Sequence, residues 1–299
     1  MQCFPSMEVH APYFFLPGGD ERDIIRGRLM QLNVLQGVSQ NGGGLMRYLR
    51  GIVTGVLFLI PPFLSAESTP PRVVDPKADR IMERACEQLK SAPAFSVSTD
   101  VSYDDVLKSG LTVQYQRSSD LVLDRPNHLR VDRESDKGAR TILYDGKTFT
   151  IFDPDMNMYV QAPAPDTIDA TLDKLDEHGV SLPLEDLVRS EPCTWLHEEV
   201  WDGFYGGQHY LDGSFVHHLL FRVKAADFQI WVQGGEVPVI RKVIIEYREK
   251  EGNPRYEARL FDWNFRPTLE TGDFAFTPPE GATRIEFRAA SNIGEGDRP

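Results

Sequence analysis

His197-Glu198-Glu199-Val200-Trp201 is the stretch of this 299-residue chain that comes nearest to a zinc hydrolase. Two histidines one helical turn apart, with a glutamate between them, would put two ligands and a general base on one helix face. The second histidine position is Trp201, so the ligand set is incomplete. Asp153-Pro154-Asp155-Met156-Asn157 begins like a calcium loop, but the glycine and closing glutamate positions are Met158 and Ala164. The turn chemistry of Asp and Asn accounts for it better. His217 and His218 are adjacent; on a strand they point to opposite faces and cannot share one metal. The chain has no Gly-x-Ser-x-Gly elbow, no Gly-rich phosphate loop before a helix and no Cys-x-x-Cys. What remains for catalysis is a set of scattered carboxylates, which a glycosidase pair could use without a local signature. No catalytic residue, metal or cofactor is assigned.

The charge balance narrows the partners. Asp and Glu number 45 against 32 Lys and Arg, a formal charge of −13. This opposes binding to phosphate backbones and anionic membrane surfaces, which depends on Lys and Arg. Nucleic acid is therefore not an expected partner. Near the N-terminus, Met46-Arg-Tyr-Leu-Arg is followed by an apolar run from Gly51 to Leu64 and then Ser65-Ala66-Glu67-Ser68. A basic start, a short apolar core and small residues make up a secretory signal peptide. The run falls short of the roughly 20 residues of a membrane span. A buried or anchoring helix is the other reading, against which the Pro61-Pro62 pair argues. Residues 1–45 show no period, so translation is expected to start at Met46, with 46–66 removed on export. The product is expected in the periplasm, not integral to the membrane. Residues 67–299 would form a single domain with a loose tail from about 288.

Asp75-Pro76 reads as an N-cap and first helical residue, and Ile81, Met82, Ala85, Cys86 and Leu89 follow at helical spacing. An amphipathic helix is expected over 76–91. Alternation then predicts strands at 95–106, 111–124, 128–134, 139–144, 147–152 and 157–162, cut by turns at Pro126-Asn127, Asp145-Gly146 and Asp153-Pro154. Asp166 is expected to cap a helix carrying Ile168, Leu172 and Leu175 and ending at Gly179. A short helix at 183–189 would present Leu184, Leu187 and Val188. Further strands are expected at 207–211, 217–223, 228–232, 239–248, 256–265 and 274–277. One sheet face is apolar and longer than one helix can cover, and strand twist curls so large a sheet. The expected fold is mainly β (α+β): a curved antiparallel sheet forming an incomplete barrel, covered by the N-terminal helix and a short helical lid. Cys86 and Cys193 remain after export, either bridged so as to pin helix to lid, or as two buried thiols.

Arg125-Pro126-Asn127, Asp145-Gly146-Lys147-Thr148 and Phe274-Ala275-Phe276-Thr277-Pro278-Pro279-Glu280-Gly281 together, in this order and spacing, resemble the family of the outer-membrane lipoprotein carrier LolA. The similarity extends across most of 76–285. With Pro-Lys-Ala-Asp-Arg-Ile at 76–81 and the Tyr-Asp-Gly-Lys segment, the chain looks even more like a family of predicted periplasmic proteins of unknown function. The carrier resemblance implies that Arg125 hydrogen-bonds lid backbone and holds an empty cavity shut. Read from the residue alone, Arg125 could equally pair with surface carboxylates.

The expected function is carriage or binding of a lipid, acyl chain or other hydrophobic ligand, including a lipidated protein. Alternation assigns Leu123, Ile142, Phe149, Ile151, Phe221, Ile230, Val243, Ile245 and Leu260 to its lining, unless they simply fill a core. Ile168, Leu172, Leu175, Leu184 and Leu187 would form the lid. The alternatives are an envelope sensor that binds a protein partner through the same sheet, with Trp195, Trp201, Phe204 and Tyr205 as the contact, and a hydrolase using scattered carboxylates. The lid, 166–190, is more acidic than the carrier's, and Glu191–Gly207 is extra.

Overall fold

A computed structural model describes residues 71–177, 184–270 and 272–286. The expected signal peptide, the leader before it, the helix end at Gly179 and the tail from 288 lie outside the described residues. The described chain forms one open, curved sheet with few helices. Helix α1 spans Pro76–Ser91, as the periodicity predicts, and the Asp75 carboxylate accepts the Lys77 N–H at 2.7 Å to cap it. Six strands follow as a meander: β2 (Ala94–Val106), β3 (Thr112–Asp124), β4 (His128–Ser135), β5 (Arg140–Tyr144), β6 (Thr148–Asp153) and β7 (Met158–Pro163). A second meander comprises β8 (Asp202–Leu211), β9 (Ser214–Arg222), β10 (Ala226–Gln233), β11 (Val239–Tyr247) and β12 (Arg255–Asn264). β12 pairs antiparallel with β2, so the two meanders fuse into one sheet. Two short parallel strands, β1 (Val73–Val74) on β8 and β13 (Thr283–Arg284) on β7, close its edges.

This order puts β7 and β8 near opposite edges. The connection between them must therefore cross the whole sheet, and it does so over the concave, apolar face. It contains α2 (Ile168–Glu177), one 3-10 turn at Glu185–Leu187 and α3 (Thr194–Glu198). Helix α1 lies against β8 to β11 with Ala78, Met82, Ala85 and Leu89 buried. Ile168, Leu172, Leu175, Leu187, Val188 and Leu196 of the long connection join the same core cluster. Cys86 of α1 and Cys193 are disulfide-bonded, with Cα atoms 5.8 Å apart.

The structure corrects several expected elements. Helix α2 is capped by Thr167, whose hydroxyl accepts the Ala170 N–H at 3.2 Å, rather than by Asp166. The helix expected at 183–189 is only a 3-10 turn among the described residues, and α3 was not expected at all. β8 begins at Asp202, not 207, because a register shift between Tyr205 and Gly207 breaks the alternation. Residues 274–277 are not a strand. Their alternating aromatics instead pack on the outer face, Phe274 on His128 at 5.1 Å and Phe276 between Phe152 and Tyr159 at 5.4 and 5.0 Å. The Pro278-Pro279 pair that follows cannot donate to a ladder.

The Arg125-Pro126-Asn127 and Asp145-Gly146 turns pack on one another. Gly146 has φ +84°, and a Cβ there would lie 2.8 Å from Asn127 Nδ2. Gly110, at the β2–β3 hairpin tip, has a similar φ of +81° but nothing within 4 Å of an added Cβ. Gly146→Ala is therefore expected to cost about 2–3 kcal/mol and Gly110→Ala only about 1 kcal/mol. Urea unfolding of both variants checks this; equal losses would contradict the turn packing.

Candidate functional site

Cross-strand register assembles one continuous apolar face. Val160 pairs with Ile151, Ile151 with Ile142, Ile142 with Val131 and Val131 with Leu121. In the other meander Leu219 pairs with Ile230, Ile230 with Val243 and Val243 with Ala258, while Leu260 faces Thr99 on β2. Leu123, Ile142, Phe149, Ile151, Phe221, Ile230, Val243 and Leu260 are buried on this face; Ile245 is partly buried against them.

A cavity of about 60 Å³ opens where the face meets the long connection. Val97, Val101, Leu121, Leu129, Val131 and Ile142 form its sheet wall, and Leu184, Leu187 and Val188 its roof. Of the nine sheet residues singled out by alternation only Ile142 lines it, joined by Leu184 and Leu187 of the expected lid. The other eight pack in the core cluster or against it, and Ile168, Leu172 and Leu175 anchor α2 there. The volume suits about two waters, so the space beneath the roof is nearly filled by side chains. Sequence reasoning missed the polar end of the cavity: Thr99, Ser119, Arg117, Arg133, Tyr256 and Glu185. The signal was present, because Arg117 and Arg133 occupy the same alternation phase as Leu121 and Val131.

The roof is tied down by named polar contacts. Arg125 donates to the carbonyls of Val188 and Arg189 at 2.9 and 2.8 Å. Burial holds its pKa below the ordinary arginine value, with Asp169 opposing that shift. The Pro126 carbonyl of the same turn accepts the Ile168 N–H at 2.9 Å, fixing the start of α2. Arg189 bridges Asp173 of α2 and Glu185, both at 3.0 Å. Ser190 donates its N–H to Asp169 at 2.9 Å, and Lys90 of α1 pairs with Glu191 at 2.8 Å.

The clusters that could have done chemistry are separated. His217 faces the Tyr205 hydroxyl at 3.0 Å, whereas His218 contacts Gln229 at 3.1 Å and stacks on Trp231. Burial lowers the pKa of both. His197 is exposed and 3.9 Å from Glu83. Asp153 is buried, pairs with Arg140 at 2.7 Å and accepts the Met156 N–H, as a turn residue does. The aromatic stretch is divided too. Trp195 stacks on Phe228 at 5.1 Å against the core, and Phe204 is 62% exposed. Among the described residues no helix is long and apolar enough to cross a membrane.

No curated protein matches the chain. Among solved structures, it is similar to an uncharacterized conserved protein from Thermus thermophilus, at 10% identity over 70% of this chain and 99% of that one, with a TM-score of 0.41. It is similar to the lipoprotein LppX of Mycobacterium tuberculosis at 12% identity, covering 66% and 100% of the two chains, with a TM-score of 0.44. A LolA superfamily protein from Nitrosomonas europaea gives 13% identity, 67% and 97% coverage and a TM-score of 0.31. The family described as "Predicted periplasmic protein (DUF2092)" matches residues 78–288, and the chain belongs to that family.

Proposed function

We propose that this chain is a non-enzymatic periplasmic carrier or binding protein that holds a lipid, acyl chain or other apolar ligand on the concave face beneath the roof. The observation that carries this reading is the cavity at the junction of the sheet with a roof of Leu184, Leu187 and Val188, held to the sheet side by Arg125. Access requires that roof to lift, which exposes a few apolar side chains at about 1.5–3 kcal/mol each. Burying a dozen acyl methylenes at about 0.8 kcal/mol each offsets that cost. The resemblance of the Arg-Pro-Asn turn to the carrier family supports the same role for Arg125. Native mass spectrometry of protein purified from its own periplasm, followed by lipid extraction, tests the reading. A co-purifying lipid is expected; no lipid in any preparation, with no uptake of added acyl chains, would overturn it. A second reading, docking of an envelope protein, is favoured by Phe204, Tyr210 and Phe215, all more than 60% exposed on β8 and β9.

The roof can be probed at two residues. Arg125→Leu removes two hydrogen bonds from a charged donor, each worth about 1.5–3 kcal/mol. Exchange of a fluorescent acyl probe is expected to speed up by about tenfold or more by stopped flow; unchanged exchange would refute the latch. Asp186 lies in the roof, where burial pushes its carboxyl up to about 6, with Glu185 adding to the rise and Arg189 opposing it. An acid whose pKa is higher folded than unfolded favours the folded state when protonated. The closed form therefore loses stability as pH climbs from about 4 to about 6, and remains at the lower level above that. Asp186→Asn is expected to gain at most about 3 kcal/mol over the parent at pH 7.5 and little at pH 4. Thermal unfolding at both pH values checks it; a difference independent of pH would contradict the assignment.

A further inference from the structure

The concave face changes character at one level. Moving along β3, β4 and β5 away from the roof, the apolar phase continues into Arg117, Arg133 and Arg140. Arg133 stands opposite both Ser119 and Arg140, and Arg117 stands opposite Ser135. Arg117 and Arg133 are thus diagonal neighbours on one face, with Cα atoms roughly 7 Å apart. Arg140 is held by the buried Asp153 at 2.7 Å. Arg117 and Arg133 line the apolar cavity. Arg117 donates to the Tyr256 hydroxyl at 3.0 Å and lies 5.4 and 5.5 Å from the ring centres of Tyr103 and Tyr256. These contacts orient a guanidinium that carries five donors in a fixed fork. The acidic residue in the lining, Glu185, is paired with Arg189 at 3.0 Å. In a chain of net charge −13 the lining of this cavity carries two arginines and one glutamate.

We propose, on the basis of the carrier reading, that the ligand is an anionic amphiphile whose carboxylate or phosphate docks between Arg117 and Arg133, its chain running along Leu121, Val131 and Ile142. Two guanidinium forks match a carboxylate or phosphate, and their charge is worth most where apolar walls exclude water. A neutral lipid gains no charge pairing from them, and a free anion gains nothing from the apolar wall.

Isothermal titration of the exported protein with palmitate, hexadecyl phosphate, hexadecanol and inorganic phosphate tests the assignment. Palmitate or hexadecyl phosphate is expected to bind at least about tenfold more tightly than hexadecanol, and the stronger of the two identifies the headgroup. Inorganic phosphate should not compete at equal concentration. The double variant Arg117→Gln/Arg133→Gln should lose the preference while keeping hexadecanol affinity, and Arg117→Lys/Arg133→Lys should retain part of it. Equal wild-type affinity for palmitate, hexadecyl phosphate and hexadecanol, phosphate competing alone, or a preference that survives in the folded Gln variant would overturn the assignment and leave the carrier reading standing. Binding of no amphiphile would overturn both. The wild-type comparison decides the matter even where a variant fails to fold.

Discussion

The constraint on which the molecule depends is that a sheet apolar on one face must be covered, and that one helix is too short to do it. From β8 to β7 the sheet counts eleven strands, roughly 50 Å of width at about 4.8 Å per strand before curvature. Helix α1, with 16 residues, is about 24 Å long. Curvature brings the ends of the sheet closer together, and the chain supplies the missing cover through its connections. Because β7 and β8 lie near opposite edges, the segment joining them has no route except across a face. The route over the concave face buries Ile168, Leu172, Leu175 and Leu187. The roof is thus a consequence of strand order. The return from β12 to β13 crosses the outer face instead, with Phe274 and Phe276 as its contacts and the Arg130 guanidinium donating to the Asp273 carbonyl at 3.1 Å.

Most of the strand framework was legible in the sequence because its determinants are local. Asp75-Pro76, Pro126-Asn127, Asp145-Gly146 and Asp153-Pro154 each fix a terminus or turn by their own chemistry, so α1 and β2 to β7 fall within a residue or so of their expected bounds. What local pattern could not supply was partnership. Phe274-Ala275-Phe276-Thr277 alternates like a strand, yet its aromatics pack on other side chains and its backbone joins no ladder. The first half of β8 was hidden because Gly206 and Gly207 interrupt the period where the register shifts. Cys86 and Cys193 are 107 residues apart, and nothing in either neighbourhood encodes their approach.

The site was legible to a lesser degree, for a related reason. Alternation assigns Leu123, Phe149 and Ile151 to a face but cannot say whether that face is packed or hollow. These residues are packed, and the remaining space lies toward Arg117 and Arg133. Arginine on a strand is ordinarily read as solvent-facing, which is why these two escaped notice. Their phase places them on the inner face nonetheless, and Tyr103 and Tyr256 provide ring faces against which a guanidinium can lie without full hydration.

The ties on the roof are unequal, and that inequality defines how it could open. At Cys193 the connection is covalently fixed to α1, and at Ile168 it is seated by the Pro126 carbonyl. Between these points Leu187 and Val188 pack through apolar contact, the Val188 and Arg189 carbonyls accept from Arg125, and Arg189 and Ser190 tie back to Asp173 and Asp169 of α2. Releasing that middle stretch costs about 1.5–3 kcal/mol for each apolar side chain it exposes, and about as much again for each hydrogen bond from Arg125. Both anchors survive such a movement, since neither Cys193 nor Ile168 need shift. The framework can therefore stay folded while the space between the roof and the Arg117–Arg133 level enlarges, as the proposed exchange of an amphiphile requires.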